Sequence, residues 1–339
     1  MADTGILPDH HLSALTERGI VTVETPLADG QVQPASIDLR LGNKAWRLRA
    51  SFLPGPDRTV AERLDDDLVM HTVDLSAGAV LETGCVYLAP LQEGLKLPAG
   101  LTAAMNPKSS TGRIDVFTRV ITDRGVAFDQ APVGYEGPLY AEISPCTFSI
   151  LAREGDRLSQ IRFRQGAHST LRDVTVSVDL AGFDDGIVGY RARRHSGLVD
   201  LARIAGHAAS RFWEPLYAPD RRLILDPGEF YILASQEAVE IGFDEAAEMA
   251  PIATEIGEFR AHYAGFFDPG FGKAEAGGVG ARAVLEVRGR DVPFMLEHGQ
   301  PIARLVYEPM LAAPETAYGQ LASNYQAQGL KLSKFFKSE

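Results

Sequence analysis

The strongest constraint on the fold of this chain is an internal repeat with a spacing of 144 residues (225 minus 81). A spacing of this size matches a whole domain, because domains most often contain roughly 100–150 residues. We therefore infer that the chain contains one module twice. The residues that recur without a gap are Leu81/Leu225, Gly84/Gly228, Tyr87/Tyr231, Gln92/Gln236, Glu93/Glu237, Met105/Met249, Pro107/Pro251, Glu142/Glu286 and Gly155/Gly299.

Composition agrees with two folded domains of moderate size. The chain has 339 residues, of which 45% are hydrophobic and 23% charged, ordinary values for a globular protein. A net charge of -12 disfavours nucleic acid and anionic membranes as partners, because both are polyanions. The first residues do not form a targeting signal, and no window approaches the roughly 20 apolar residues of a membrane span. We expect a cytoplasmic protein.

Short apolar or alternating runs recur at roughly ten-residue intervals, separated by Gly, Pro and Asp clusters. This pattern predicts a mainly β chain of two sandwich-like or barrel-like domains. Residues 7–20 predict a short amphipathic helix that ends near Gly19. The predicted strands include Cys85–Ala89, Leu139–Ile143, Gln160–Arg164, Phe230–Ala234, Ala283–Val287 and Arg304–Glu308.

We predict three segments: residues 1–166, residues 167–310 and a tail of residues 311–339. The sequence Ser177-Val-Asp-Leu180 echoes Ser36-Ile-Asp-Leu39, which suggests that each module opens with the same strand. The basic stretch Arg191–His195 is predicted to be a solvated strand edge, with phosphate binding as the alternative. Cys85 and Cys146 are predicted to be two buried thiols, since their wide separation supports neither a disulfide framework nor a metal site.

The segment with the clearest chemical character is Pro107-Lys-Ser-Ser-Thr-Gly-Arg113. Its adjacent hydroxyls, its glycine and its two cations form a compact set of donors that suits phosphate oxygens. A solvated polar loop is the alternative. In the second copy the reactive positions are Ile252, Ala253, Thr254 and Gly257, so only the first copy is predicted to bind an anion productively.

Further motifs occur in a fixed order around this loop. They are Pro34-Ala-Ser-Ile-Asp-Leu-Arg-Leu-Gly42, Lys108–Arg113, Phe128-Asp129 followed by Gly134–Gly137, Leu139–Glu142, and Gly155-Asp156 with Gln160-Ile161. In this order, over residues 5–165, the chain resembles the dCTP deaminases of the trimeric dUTPase-like superfamily. The tail, with Tyr318 and Asn324–Gly329, is similar to the family segment that closes over the bound triphosphate. The resemblance implies two tandem dUTPase-like barrels of β-clip or jelly-roll type, the second degenerate.

The resemblance also implies roles for individual residues. Glu142 aligns with the general base, which takes a proton from the water that attacks C4 of cytosine, and Arg113 and Ser109 align with groups that support this water and the glutamate. One glutamate can shuttle the required protons. The implied substrate contacts are Lys108 and Ser110 in the loop that continues through Thr111 and Gly112, Asp129 at the 3′-hydroxyl, the backbone near Tyr140 and Ala141 at the pyrimidine, and Tyr318, Tyr325 and Gln328 in the tail.

The implied reaction is hydrolysis of dCTP to dUTP and ammonia, which serves thymidylate supply. A dUTP diphosphatase, a bifunctional deaminase that also forms dUMP, and a non-catalytic nucleotide-binding regulator are the alternatives. A zinc-dependent route is not expected, because Pro145-Cys146 lacks a second cysteine at the required spacing. Magnesium is expected only as the partner of the triphosphate. The family also implies possible feedback by dTTP and a homo-oligomer, either a trimer or a pseudo-trimeric assembly in which the second module stands in for a neighbouring subunit. The tail could close on the first module's site within its own chain or in a partner.

Three departures from the family pattern concern the predicted site. Lys108 stands where the family usually has arginine, which keeps the charge but loses bidentate geometry. Gln130–Val133 is an apparent insertion after Asp129. Asn324 occupies a tail position that is commonly lysine.

Overall fold

The computed structural model describes residues 4–65, 67–252, 259–262, 265–278, 280–320 and 325–337, with only the backbone of residues 184 and 259–262. Helix α1 spans Asp9–Glu17, inside the predicted range, and α2 is the single turn Ser109–Gly112. Leu12 and Leu15 are the buried residues of α1. The helix ends where Gly19 adopts a positive φ of 68°. None of the described helices is long and apolar enough to span a bilayer.

The first half of the chain is built almost entirely from strands. The strands predicted there coincide with observed strands, except that Cys85 lies one residue before the observed strand. Their bounds are β1 Gly5–Ile6, β2 Val21–Val23, β3 Ile37–Arg40, β4 Lys44–Leu48, β5 Val69–Asp74, β6 Ala79–Leu81, β7 Val86–Lys96, β8 Leu101–Pro107, β9 Val116–Thr122, β10 Gln130–Ala131, β11 Glu136–Pro145, β12 Ile150–Ala152 and β13 Arg157–Gln165.

The second half repeats this succession, which confirms the mainly β fold. Short 3₁₀ turns interrupt it at Asp184–Gly186, Ala209–Arg211 and Ala274–Ala276. The strand bounds are β14 Arg172–Ser177, β15 Ile187–Ala192, β16 Val199–Asp200, β17 Trp213–Tyr217, β18 Arg222–Leu225, β19 Phe230–Val239, β20 Glu245–Pro251, β21 Phe259–His262, β22 Phe266–Phe267, β23 Ala281–Gly289, β24 Phe294–Glu297 and β25 Pro301–Pro309.

Each half forms two main antiparallel sheets in the same strand order. In the first half, β3 and β1 pair with β13, which continues to β8 and β10, and the other sheet has the order β5-β4-β7-β11-β9. In the second half, the corresponding orders are β14-β25-β20-β22 and β17-β15-β19-β23-β21. We call these halves the first and second modules. Their buried faces are rich in Val, Ile and Leu, as expected for strands packed face to face.

The strand registers reproduce the 144-residue repeat. Glu142 lies opposite Leu88 on β7, and Glu286 lies opposite Ile232 on β19. Each residue of the first pair is thus separated by 144 positions from its counterpart in the second pair. The two glutamates therefore occupy equivalent places on the central strands of their modules.

The predicted echo of Ser36–Leu39 in Ser177–Leu180 is wrong in its register. The Glu93 carboxylate accepts a hydrogen bond from the Arg40 backbone N–H at 2.7 Å, and the Glu237 carboxylate accepts the equivalent bond from the Ser177 backbone N–H at 2.9 Å. Arg40 and Ser177 are therefore counterparts, so the matching strand begins before Ser177. The letter match arises because both segments satisfy the same local pattern.

The two modules share a core instead of forming separate bodies. Strand β12 of the first module pairs in parallel with β16 of the second, and Ile6 forms a bridge with Met310. The tail returns to this boundary, where the Phe336 ring lies 5.8 Å from that of Trp213 and 6.3 Å from that of Phe148. The boundary is therefore closed by apolar packing, which fixes one module against the other.

Two smaller expectations are wrong. Cys146 is exposed and Cys85 is partly buried, because each lies at the end of a strand and not at its buried centre. Arg191 belongs to β15, which pairs with both β17 and β19, so it does not lie at a sheet edge. Its guanidinium donates a hydrogen bond to the Glu214 carboxylate at 2.8 Å, and this ion pair neutralises the charge of Arg191.

Candidate active site at the module boundary

A cavity of about 420 Å³ lies between the modules and is covered by the tail. The first module contributes the α2 loop, the second contributes β20, β22 and β23, and the tail contributes three aromatic residues. The cavity brings together seven of the predicted site residues. They are Lys108, Ser109, Ser110, Arg113, Tyr318, Tyr325 and Gln328.

The α2 loop has a defined conformation at the mouth of this cavity. Lys108 is extended (φ -72°, ψ 148°), and its carbonyl accepts hydrogen bonds from the N–H groups of Thr111 and Gly112. This closes one helical turn in which Ser110, Thr111 and Gly112 are buried. Lys108, Ser109, Ser110 and Arg113 of this loop line the cavity, whereas Thr111 and Gly112 do not.

Arg113 is the most tightly held cation of the loop. Its Nη1 donates to the Lys331 carbonyl at 2.9 Å, and its guanidinium carbon lies 3.9 Å from the centre of the Tyr325 ring. Its Nε atom is buried and finds no hydrogen-bond partner among the described residues. A buried donor without a partner costs free energy, so this atom is available to a ligand or to water in the cavity.

Within the chain, the carboxylate that faces Arg113 is Glu286 and not Glu142, whose predicted role stays a prediction. Arg113 Nε lies 4.0 Å from Glu286 Oε1 across the module boundary. Glu286 is only 6% exposed. Burial raises the pKa of its carboxyl well above the usual range; Arg113 opposes this shift and Asp115 adds to it. Glu286 therefore combines a nearby cation with an environment that lets it exchange protons.

Glu142 has a different environment, away from the cavity. Its Oε1 accepts hydrogen bonds from Arg119 at 2.5 and 3.1 Å, and Arg119 also donates to the Ser51 hydroxyl at 2.8 Å. The Arg119 guanidinium stacks on the Phe128 ring at 3.6 Å. Glu142 is thus held in an ion pair with its own sheet, because Arg119 lies opposite it on β9.

The other predicted residues of the first module remain with Glu142. Tyr140 and Ala141 lie beside it on β11, and Asp129 precedes β10, so none of the three lines the cavity. Asp129 Oδ1 accepts the Val120 N–H at 2.7 Å. Within one chain these residues do not line the cavity with the α2 loop, and their roles stay predictions.

Asp268 of the second module lines the cavity and was missed from the sequence. The Phe271 N–H donates to the Asp268 carbonyl, as the Tyr135 N–H donates to the Pro132 carbonyl in the first module. The counterpart of Asp268 is therefore Pro132, not Asp129. The signal was the compact sequence Asp268-Pro-Gly-Phe271, which matches Pro132-Val-Gly-Tyr135 of the first copy. The predicted insertion Gln130–Val133 is therefore wrong, because Gln130 and Ala131 pair as Phe266 and Phe267 do.

The tail completes the enclosure of the cavity. The Ser333 hydroxyl donates to the Ser110 carbonyl at 2.8 Å, and the Tyr325 hydroxyl accepts the Lys334 N–H at 3.2 Å. Gln328 donates to the Arg282 carbonyl, while its Oε1 is buried without a partner among the described residues. These contacts bring the predicted tail residues to the loop of their own chain. Asn324 lies outside the described residues.

One end of the cavity is rich in cations. Lys108 forms an ion pair with Asp38, and Arg157 lies 3.6 Å from the same carboxylate. Burial lowers the pKa of the Lys334 ammonium, and Lys108 lowers it further by charge repulsion. A polyanion at this end would relieve that repulsion. Glu286 lines the same cavity, which therefore combines a group of cations with a buried carboxylate.

Comparisons with known proteins agree with this architecture. The family model described as the amino-terminal domain of 2′-deoxycytidine 5′-triphosphate deaminase matches residues 3–167, and the model for the carboxy-terminal domain matches residues 151–336. A crystal structure of 2′-deoxycytidine 5′-triphosphate deaminase from Agrobacterium tumefaciens is 54% identical, covers 91% of this chain and 100% of its own, and superposes with a TM-score of 0.88.

Two curated relatives match about one module each. A dCTP deaminase of Halorubrum lacusprofundi is 30% identical over 155 residues, which are 45% of this chain and 73% of that protein. A protein of Methanobrevibacter smithii named "dCTP deaminase, dUMP-forming" is 26% identical over 159 residues, which are 47% of this chain and 79% of that protein. Together with the two domain models, which span nearly the whole sequence, these matches show that the chain belongs to the dCTP deaminase family of enzymes.

Proposed function

We propose that this protein hydrolyses dCTP to dUTP and ammonia in a single site per chain, with Glu286 as the general base. The observation that supports this assignment is the approach of Arg113 to Glu286 inside the cavity. Catalysis needs the base and its supporting groups in one enclosed place, and the chain supplies them from two modules. The second module is then a catalytic partner and not only architecture.

The proposed reaction assigns each proton to a defined group. The Glu286 carboxylate takes a proton from a water, and the water oxygen forms a bond to C4 of cytosine while the ring nitrogen N3 receives the proton. The hydroxyl proton of the resulting intermediate then passes through Glu286 to the amino nitrogen. The C4–N bond breaks, ammonia leaves and the C4 carbonyl of dUTP forms. A carboxylate suits both transfers because it alternates between base and acid.

The remaining groups are proposed to bind and orient the substrate. Arg113 Nε and the Ser109 hydroxyl would support the water and the amine, while Lys108, Ser110 and Lys334 would contact the triphosphate. Asp268 takes over the sugar contact that the sequence suggested for Asp129. Magnesium would enter with the triphosphate, since the described residues contain no cluster of three His, Cys, Asp or Glu side chains placed to hold a metal. Homo-oligomer formation, inhibition by dTTP and independence from zinc stay predictions.

The decisive experiment compares two glutamates at equivalent positions of the repeat. Glu286→Gln should lower the rate of ammonia release from dCTP by about 10²–10⁴-fold, the usual contribution of a general base. Glu142→Gln, the matched control, should keep most of the wild-type rate, because Glu142 lies outside the cavity and bonds Arg119. The opposite result would assign the base to Glu142 and require a second chain in the site. Full activity in both variants would exclude a glutamate base.

A second candidate function is further hydrolysis of dUTP to dUMP and pyrophosphate. The similarity to dUMP-forming proteins favours testing it. The sequence-based support for it was Asp129, which does not line the cavity. Pyrophosphate release with dCTP and with dUTP separates the two activities, since simple deamination yields ammonia alone.

A further inference from the structure

Two ion pairs of opposite polarity cross the module boundary side by side. Arg113 faces Glu286, and two residues further along each chain segment Asp115 faces Arg288. Because residues i and i+2 of a strand point to the same side, Glu286 and Arg288 of β23 address the same surface of the first module. The first module presents a cation and then an anion, and the second presents an anion and then a cation.

The Asp115–Arg288 contact is buried and supported on both sides. Asp115 is fully buried, and its Oδ2 accepts hydrogen bonds from Arg288 Nη2 and, at 2.5 Å, from the Thr147 hydroxyl. Arg288 Nη1 donates to the Gly228 carbonyl at 2.6 Å. The guanidinium therefore joins a turn of the second module to the segment that directly follows the α2 loop.

Asp115 also adopts a left-handed backbone conformation. Its φ is +55°, a region that Asp and Asn enter more readily than other non-glycine residues. Its N–H donates to the Gly112 carbonyl at 2.8 Å, and its carbonyl accepts the Cys146 N–H at 2.9 Å. Its surroundings include Arg288, so the end of the α2 loop depends on a residue of the other module.

The charge of Arg288 has no equivalent in the first module. The strand registers place Glu142 and Glu286 at equivalent positions, so the counterpart of Arg288 is the uncharged residue Ser144. The contact with Asp115 therefore depends on a charge that the second copy alone carries at this position.

We propose that Arg288 and Asp115 are positioning residues for the deamination, which hold Arg113 in place beside Glu286. This inference rests on the proposed role of Glu286. Arg288 has a second effect, because it neutralises a buried carboxylate close to the base. Without Arg288, the negative charge of Asp115 would oppose ionisation of Glu286.

The charges around Glu286 determine how a substitution at Arg288 should change the pKa of the Glu286 carboxyl. Arg113 and Asp115 face Glu286 from the first module, and Tyr325 faces it from the tail. His262 is its register partner on β21. Among these groups, the Asp115 carboxylate is the one held by Arg288, so a double-mutant cycle on this pair isolates its influence on the base.

The test measures ammonia release with dCTP as a function of pH for Arg288→Met, Asp115→Asn and the double variant. Arg288→Met should lower kcat by roughly 10–100-fold, the cost of a small displacement of reacting groups, with a smaller change in KM. The acidic limb of its profile of kcat/KM against pH should move to higher pH, because the Glu286 carboxyl becomes harder to ionise. Asp115→Asn should move that limb to lower pH, and the double variant should reverse the shift caused by Arg288→Met.

The outcomes are distinguishable from a failure of the proposed function. If Glu286→Gln is inactive but the acidic limb does not move in the Arg288 and Asp115 variants, the pair is only structural and the inference is wrong. If Glu286→Gln is active, the proposed base itself is wrong. Should Arg288→Met not fold, Asp115→Asn and Arg288→Lys carry the test, and an unmoved limb in Asp115→Asn would overturn the proposal.

Discussion

The Nε atom of Arg113 lies 4.0 Å from Oε1 of Glu286, and the two residues belong to different copies of the repeat. Under the proposed function, each copy contributes a different part of the site. The first module retains the loop with Arg113, but has Pro132 at the position of Asp268 and engages Glu142 with Arg119. The second module retains Asp268 and Glu286.

Arg113→Lys should reduce the rate of ammonia release by about 10²-fold, comparable to the loss of one preorganised donor in an active site. Lysine keeps the charge but lacks the flat guanidinium that stacks on Tyr325 and donates to the Lys331 carbonyl. Steady-state kinetics with dCTP check this. Arg119→Lys is the matched control, because Arg119 pairs with the other glutamate of the repeat, and its activity should stay close to that of the wild type. Equal losses of rate in both variants would contradict the proposal that Arg113, and not Arg119, acts in deamination.

Tyr325→Leu should raise the KM for dCTP by about tenfold, since loss of the stacked ring and of the bond to Lys334 frees the tail from the α2 loop. Tyr325→Phe keeps the ring and should show a smaller increase. The exposed residue Tyr217 provides a control, and Tyr217→Leu should leave KM unchanged. An unchanged KM in Tyr325→Leu would show that the tail does not close on the nucleotide.

The strands of each module could be predicted from the sequence, but the packing of one module against the other could not. The predicted strands were confirmed because alternation along the chain is a local property that reflects the two faces of a sheet. The loop from Lys108 to Arg113 was also identified locally. The carboxylate that meets it was not, because that choice depends on how β23 of one module packs against α2 of the other. No periodicity within a module encodes that contact.

Gaps in the repeat explain why Asp268 was not predicted from the sequence. The 144-residue spacing aligns Glu142 with Glu286, but Asp268 lies 136 positions after its counterpart Pro132 (268 minus 132). Extra residues after Phe271 restore the longer spacing before β23. A comparison at one fixed spacing therefore passes over Asp268. Hydrogen bonds, which follow the backbone and not the numbering, reveal the correspondence.

Arg162→Met should lower the free energy of unfolding by about 3–5 kcal/mol, the usual cost of leaving one partner of a buried ion pair unpaired. Arg162 is 3% exposed and links the modules through bonds to the Ala247 carbonyl at 3.0 Å and to Asp268 at 3.1 Å. Urea unfolding checks the value. Arg162→Met with Asp268→Asn should recover part of the loss, because no buried charge then remains alone. The exposed pair of Arg222 and Glu297 is the control, and Arg222→Met should cost less than about 1 kcal/mol.

Asp129→Asn should stabilise the protein at pH 8 but not at pH 4. Burial raises the pKa of the Asp129 carboxyl to about 7, although the bond from the Val120 N–H and the charge of Arg119 oppose the shift. An acid with a raised pKa in the folded state favours folding most when it is protonated in both states, below about pH 4, and this contribution is lost as pH rises through 7. Asparagine stays neutral and keeps an oxygen for the Val120 N–H, so it avoids the loss.

Thermal unfolding across this pH range checks the prediction for Asp129, and Asp74 supplies a control of opposite sign. The backbone N–H of Ser76 lowers the pKa of the Asp74 carboxyl. Asp74→Asn should therefore destabilise the protein at neutral pH, and the difference from the wild type should disappear in acid. A gain in Asp129→Asn that is the same at pH 4 and pH 8 would mean that its carboxyl is not held protonated by burial. The effect of Asp129 on stability would then not come from the titration of its carboxyl.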